Sequence, residues 1–163
     1  MSPRRVATSL KVALVAVVCL ALTACSLGGA QRADSTETRA IAEAMSTANP
    51  AVSSVRATGY YSFLTPKSVF RVYIPDPGSV DLVDVIDDLL GAAWRQMDRQ
   101  GDSRELHVFL YRGEYRDSKK FPNVLMSLPN GLREALDLPD STTILTESIQ
   151  VPAADLASRY GTP

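Results

Sequence analysis

Residues 79–97, SVDLVDVIDDLLGAAWRQM, decide the fold. Val83, Ile86, Leu90, Ala93 or Trp94, and Met97 recur at helical spacing, and Leu82 and Leu89 widen the stripe. Asp81 and Asp84 stand at the positive end of the helix dipole, Arg95 and Arg99 at the negative end. Asp76-Pro77-Gly78-Ser79 opens the element, and Gly101 is the expected C′ stop. A helix with one apolar face needs a second layer to cover it.

The flanking segments supply a sheet. Residues 104–112 read as a strand with Leu106, Val108 and Leu110 facing one way and His107, Phe109 and Tyr111 the other. The helix is expected on the aliphatic side. Upstream, residues 52–64 are β-like, with Val55, Ala57, Tyr61 and Phe63 on one face and a break near Gly59. Thr65-Pro66-Lys67-Ser68 is a turn signal. Residues 69–74 form a second strand, in which Phe70, Val72 and Ile74 alternate with Arg71 and Tyr73, and Pro75 ends it. The two strands are expected to pair as an antiparallel hairpin. The result is an α+β fold with a ββαβ core, its sheet antiparallel or mixed, and one long amphipathic helix on one face.

Outward from that core the pattern weakens. Asp34 or Ser35 caps a helix running to about Ala48, ended by Asn49-Pro50. Its only sizeable apolar residues are Ile41 and Met45, so it is expected to pack weakly or to stay with the preceding segment. After the third strand, residues 121–128 suggest a short strand. Residues 129–138 suggest a short helix through Leu132, Ala135 and Leu136, and residues 142–151 an added edge strand. Residues 152–160 close the chain with a short helix that has Pro152 at its first position.

The N-terminus is an address. Arg4, Arg5 and Lys11 precede an unbroken apolar run over residues 12–22. As a helix that run would be about 16 Å long, roughly half of a ~30 Å hydrocarbon core. Such a length suits the apolar region of a signal peptide. Leu22-Thr23-Ala24-Cys25 follows. This tripartite segment resembles the export signal of bacterial lipoproteins. The resemblance implies cleavage before Cys25 and a covalent diacylglyceryl group on its sulfur. It therefore implies attachment to the extracytoplasmic face of the cell membrane through the lipid anchor. Two acyl chains hold a domain where one binds only marginally. On this reading residues 1–24 are removed, residues 25–47 are the lipidated cysteine and a flexible, partly helical tether, and residues 48–163 are a single α+β domain.

Composition narrows the function. The chain has 17 basic and 18 acidic residues, and the signal removes Arg4, Arg5 and Lys11 but no acid. What remains is mildly acidic, with no basic field for nucleic acid. Cys19 leaves with the signal and the lipid uses Cys25, so the exported part has no disulfide. His107 is the single histidine, which excludes zinc sites built on Cys and His.

Four constellations merit weighing. Asp81, Asp84, Asp87 and Asp88 place carboxylates on the long helix; a straight helix converges too few oxygens for Ca²⁺, so a solvated face is favoured and no metal is expected. His107, beside Glu105, is an acid–base candidate or a sheet-surface histidine, and no Ser or Cys nucleophile stands in a recognisable context near it. Tyr60, Tyr73, His107, Phe109 and Tyr111 fall by strand parity on the sheet face opposite the helix. Left bare, that face would be a binding platform for a protein, a glycan or a lipid. The favoured expectation is that the tail from Phe121 folds back and covers it as the second half of the core, because Leu125, Leu128, Leu132, Leu136, Ile144 and Ile149 need burial. Lastly, Arg112, Arg116, Lys119 and Lys120 form a small basic loop interleaved with Glu114 and Asp117, best taken as solvated.

The expectation is a membrane-anchored lipoprotein that binds or scaffolds at the cell envelope, without catalysis or a non-covalent cofactor. Its candidate binding face holds Tyr73, His107, Phe109 and Tyr111, and its partner is an envelope protein or lipid. An alternative is a carrier or sensor of an apolar small molecule, and a third is an envelope hydrolase.

Overall fold

The computed structural model describes residues 36–62, 65–97, 105–117 and 123–161. Cys25, the Asp34 or Ser35 cap, Phe63, Arg99, Gly101 and Phe121 lie outside them. The fold is α+β: among the described residues, a six-stranded mixed sheet with four helices. The elements run α1 (Thr36–Ala48), β1 (Ser54–Ser62), β2 (Thr65–Ile74), α2 (Leu82–Gln96), β3 (Glu105–Arg112), β4 (Val124–Leu125), α3 (Leu132–Ala135), β5 (Thr143–Ile144), β6 (Ser148–Pro152) and α4 (Ala153–Tyr160).

The long helix starts where its chemistry predicts. Asp81 is the N-cap, its carboxylate accepting from the Val83 N–H at 2.8 Å. The preceding Pro77–Ser79 is a short 3-10 turn rather than the first turn of the helix. The element ends at Gln96, with Met97 as its C-cap, before the expected stop at Gly101.

Strand order is β1-β2-β3-β6-β5, with β4 also pairing with β3. β1 and β2 form the expected antiparallel hairpin, and β2 and β3 run parallel, as a strand–helix–strand unit requires. Three local expectations are corrected. Pairing of β1 with β2 continues to Ser62↔Thr65, so Thr65-Pro66-Lys67-Ser68 is strand, not turn. Pro66 is tolerated because the β2–β3 ladder begins only at Lys67↔Glu105, leaving no bond on that side for the missing N–H to make. Residues 142–151 do not form one edge strand. They give the β5–β6 hairpin, and β6 lies inside the sheet against β3, pairing Glu105↔Pro152 through Phe109↔Ser148. The third correction concerns α1, which is part of the core: Ile41 and Met45 are fully buried against α2 and the sheet.

The core occupies one side of the sheet. Phe70, Val72, Ile74, Leu106, Val108, Leu110, Ile149 and Val151 point into it. From the helices come Ile41, Met45, Val85, Ile86, Leu89, Leu90, Ala93, Trp94 and Leu156, and from the tail Leu128, Leu132, Leu136 and Leu138. α4 closes the layer against α2. A Cβ on Gly91 would sit 3.3 Å from the Tyr160 ring, so glycine allows that close approach. Tyr160 and Arg159 both bond Asp87 of α2, and the Trp94 indole N–H donates to the Gly161 carbonyl at 2.8 Å. Among the described residues no helix is long and apolar enough to cross a membrane.

Candidate functional site

The face opposite the helices is set by strand alternation. On β3, Glu105, His107, Phe109 and Tyr111 point away from the core, and on β2 Lys67, Val69, Arg71 and Tyr73 do so. Parallel register places Val69 beside His107, Arg71 beside Phe109 and Tyr73 beside Tyr111. β1 adds Ser54 beside Tyr73 and Arg56 beside Arg71, while β6 adds Ser148 beside Phe109 and Gln150 beside His107. The four predicted face residues, Tyr73, His107, Phe109 and Tyr111, are thus brought together on one surface. The side chain of Tyr60 lies outside the description.

The expected return of the tail over this face does not occur among the described residues. Leu128, Leu132, Leu136 and Ile149 are buried in the helix-side core and Ile144 packs against it, so their burial is met on the other side of the sheet. Only Leu125 of that set belongs to the aromatic face, through its register with Tyr111. The parity of β6 explains the outcome: Ile149 and Val151 pair with Val108 and Leu106, both core residues.

One end of the face is an aromatic and cationic cluster. Tyr73 and Tyr111 stack with ring centroids 5.2 Å apart, and Tyr115 meets Tyr73 edge-on at 5.3 Å. The Arg56 guanidinium lies 4.3 Å above the Tyr115 ring. Tyr73 is therefore buried without belonging to the core, and its phenol pKa is raised. Burial is the main cause, with Tyr111 and Tyr115 adding to it and Arg71 and Arg56 opposing it. Arg71 is exposed beside Arg56 in direct cross-strand register, and no carboxylate pairs with either among the described residues. Ser54, which pairs with Tyr73, keeps a buried hydroxyl with no hydrogen-bond partner.

The other end is neutral and polar. Lys67 and Glu105 form an ion pair at 2.8 Å. His107 tilts against Phe109 with centroids 4.4 Å apart, and its Nε2 stands 3.4 Å from the Gln150 amide nitrogen. That amide donates, so the imidazole presents a lone pair there. Burial pushes the His107 pKa below its ordinary value; Glu105 opposes this and Lys67 reinforces it. No hydroxyl nucleophile bonds the imidazole among the described residues.

The remaining candidates resolve into structural roles. Asp81 caps α2, Asp87 holds Arg159 and Tyr160, and Asp88 accepts from the Asn49 amide at 2.7 Å, leaving Asp84 exposed. No group of three potential metal ligands exists among the described residues. In the basic loop, Arg112 is exposed and the Arg116 N–H donates to the Asn123 side chain, while Lys119 and Lys120 lie outside the description. A groove of about 540 Å³ lies elsewhere, between residues 127–134 and 144–146. Sequence alone missed Arg56, Arg71 and Tyr115 as members of the site. Alternation placed Arg71 on the face, but no local pattern shows that Arg56 sits opposite it or that Tyr115 returns onto Tyr73.

No protein-family model matches the chain, and no curated protein or solved structure matches it.

Proposed function

We propose that this chain is a lipid-anchored binding protein of the bacterial cell envelope, presenting the aromatic face of its sheet to an extracytoplasmic partner. The anchor rests on Leu22-Thr23-Ala24-Cys25 behind its basic and apolar flanks. The observation that carries the binding role is that Phe109, Tyr111 and His107 stand outside the hydrophobic core and only half-buried, while the apolar tail residues Leu128, Leu132, Leu136 and Ile149 are buried on the other side of the sheet. Apolar and aromatic surface left outside a core is costly unless something else covers it. Binding is favoured over catalysis because His107 is engaged by Gln150 and Phe109, with no nucleophile hydrogen-bonded to it among the described residues. A carrier of an apolar small molecule finds less support, since the groove of about 540 Å³ lies away from the aromatic face and includes Asn130, Arg133, Glu134 and Thr146 in its wall.

Two measurements in cells test this. Labelled fatty acid should enter the wild-type chain and not Cys25→Ala; equal labelling of both overturns the anchor. A photo-crosslinking amino acid in place of Phe109 should trap a discrete adduct, while the same probe in place of Arg95, exposed on α2, should not. No adduct at position 109, or equal adducts at both, overturns the binding face.

A further inference from the structure

We propose that the partner of this face is an anionic polysaccharide, whose acidic groups are held by Arg56 and Arg71 while its sugar rings lie along Phe109 and Tyr111. The inference rests on the binding role proposed above and gives that partner a chemistry.

The charge of the face calls for an anion. Arg56 and Arg71 are direct cross-strand neighbours in the β1–β2 ladder. Like charges directly opposite one another destabilise a sheet. Here the pair stands with no carboxylate partner among the described residues. Both side chains are exposed, Arg56 lying over the Tyr115 ring. The donors beside it are of the same kind. Tyr73, Tyr111 and Tyr115 gather their rings at this end of the face, and both guanidiniums act electrostatically on the Tyr73 hydroxyl. Glu105, the carboxylate on this face of β3, is spent on Lys67 at 2.8 Å. A surface rich in donors and poor in anions is complementary to a carboxylate or phosphate, which guanidinium binds in bidentate fashion. Arg56 is also pre-oriented, since the Tyr115 ring holds its guanidinium in place.

Shape and polarity separate a glycan from a membrane or a peptide. An interfacial domain inserts protruding apolar side chains into lipid. The rings on the strands are recessed, with Tyr73 fully buried and Phe109 and Tyr111 half-buried, and the exposed ring of the cluster, Tyr115, carries the Arg56 guanidinium on its face. The large apolar residues that do protrude furthest, Val124 and Leu145, are not part of the aromatic cluster. A peptide reader would offer side-chain pockets or would lay its guest along an unpaired strand edge; β2 and β3, which carry the rings, are paired inside the sheet, and the edge on this side is β1, which lies beyond them and carries Arg56. A flat row suits an extended polymer of rings. His107, Phe109 and Tyr111 succeed one another along one strand, their Cα atoms about 7 Å apart, with the His107 and Phe109 rings tilted together to 4.4 Å. Gln150 and His107 lie beside Phe109 as neutral hydrogen-bonding groups for sugar hydroxyls.

The test uses the full chain in a neutral detergent, with affinity electrophoresis through gels containing polygalacturonate, neutral dextran, or neither. Polygalacturonate should retard the wild-type protein and dextran should not, and the retardation should fall as salt is raised. Arg56→Gln and Arg71→Gln should each weaken the apparent affinity about tenfold, the order of one lost charge-assisted pair. Arg95→Gln, on the exposed face of α2, should leave it unchanged. Circular dichroism checks that each variant folds, and a folded Arg71→Lys should recover less than full affinity because it cannot bind bidentately. No retardation by polygalacturonate, equal retardation by dextran, or equal loss in Arg95→Gln overturns the proposal. So does tighter, Arg71-dependent binding to phosphatidylglycerol vesicles. Adducts through position 109 in cells without retardation by polygalacturonate would leave the binding face standing and remove this partner class.

Discussion

His107 shows how a single side chain reports its surroundings. Alternation along β3 places it away from the core, but register, which sequence does not disclose, sets it beside Gln150 and Val69. Burial lowers its pKa, so the folded state favours the neutral ring while the unfolded chain titrates near 6.5. The unfolded state then binds more protons, and stability rises with pH across that range. The contribution is complete above about 6.5 and is lost as pH falls from there towards the lower folded value. Stability measured by urea between pH 5 and pH 8 should therefore decline on the acid side in the wild type, and His107→Gln should remove part of that decline. An unchanged profile would show that the ring is not held neutral. Asp155 offers a second case. Its carboxylate is buried in the first turn of α4 and accepts from the Ser141 and Thr142 hydroxyls at 2.7 and 2.6 Å. Asp155→Ala strands the buried Thr142 hydroxyl, whereas the exposed Ser141 hydroxyl can turn to water, and should cost about 1–3 kcal/mol in urea unfolding, with Asp155→Asn costing less. Nothing in the run around residue 155 signals this, because its partners come from a loop before β5.

At the scale of elements, legibility followed periodicity. α2 and the aliphatic face of β3 were readable because each repeats its pattern over several residues, and the β1–β2 hairpin was readable from alternation on both sides of a break. α1 was misjudged for a physical reason. Two apolar residues one turn apart make a weak stripe, yet a helix laid across α2 needs only a narrow seam, and Ile41 and Met45 fill it completely. β6 was misplaced because a short β-branched run says nothing about how many neighbours it has. Within the core, Met45→Ala should lower stability by about 2–5 kcal/mol, the usual cost of emptying a fully buried site. Ala42→Ser on the flank of the same helix should cost less than about 1 kcal/mol. Denaturant midpoints decide the matter: a negligible effect of Met45→Ala would mean that α1 belongs to the preceding segment after all.

For the whole molecule the decisive question is why one sheet face is aromatic when the described helices and most apolar residues of the tail serve the other. A sheet built with an α-helical layer on one side has two unlike surfaces, and the described chain covers the second only in part, burying Tyr73 while leaving Phe109 and Tyr111 half-buried. The candidate site was half legible: parity alone placed Tyr73, His107, Phe109 and Tyr111 together, whereas the arginine pair depended on a register fixed by the complete ladder. This two-layer arrangement makes a sharp comparison possible on adjacent residues of β3. Leu110 is fully buried in the core, and Leu110→Ala should cost about 2–5 kcal/mol. Phe109 points the other way, against His107 and beside Arg71, and Phe109→Ala should cost only about 1 kcal/mol, the scale of cross-strand surface pairs, despite removing the larger side chain. If urea unfolding gave Phe109→Ala a cost equal to that of Leu110→Ala, the aromatic face would have to be a second core, covered by other parts of the chain. A small cost for Phe109→Ala, together with loss of the adduct or of polygalacturonate retention, would separate stability from recognition on neighbouring positions of one strand.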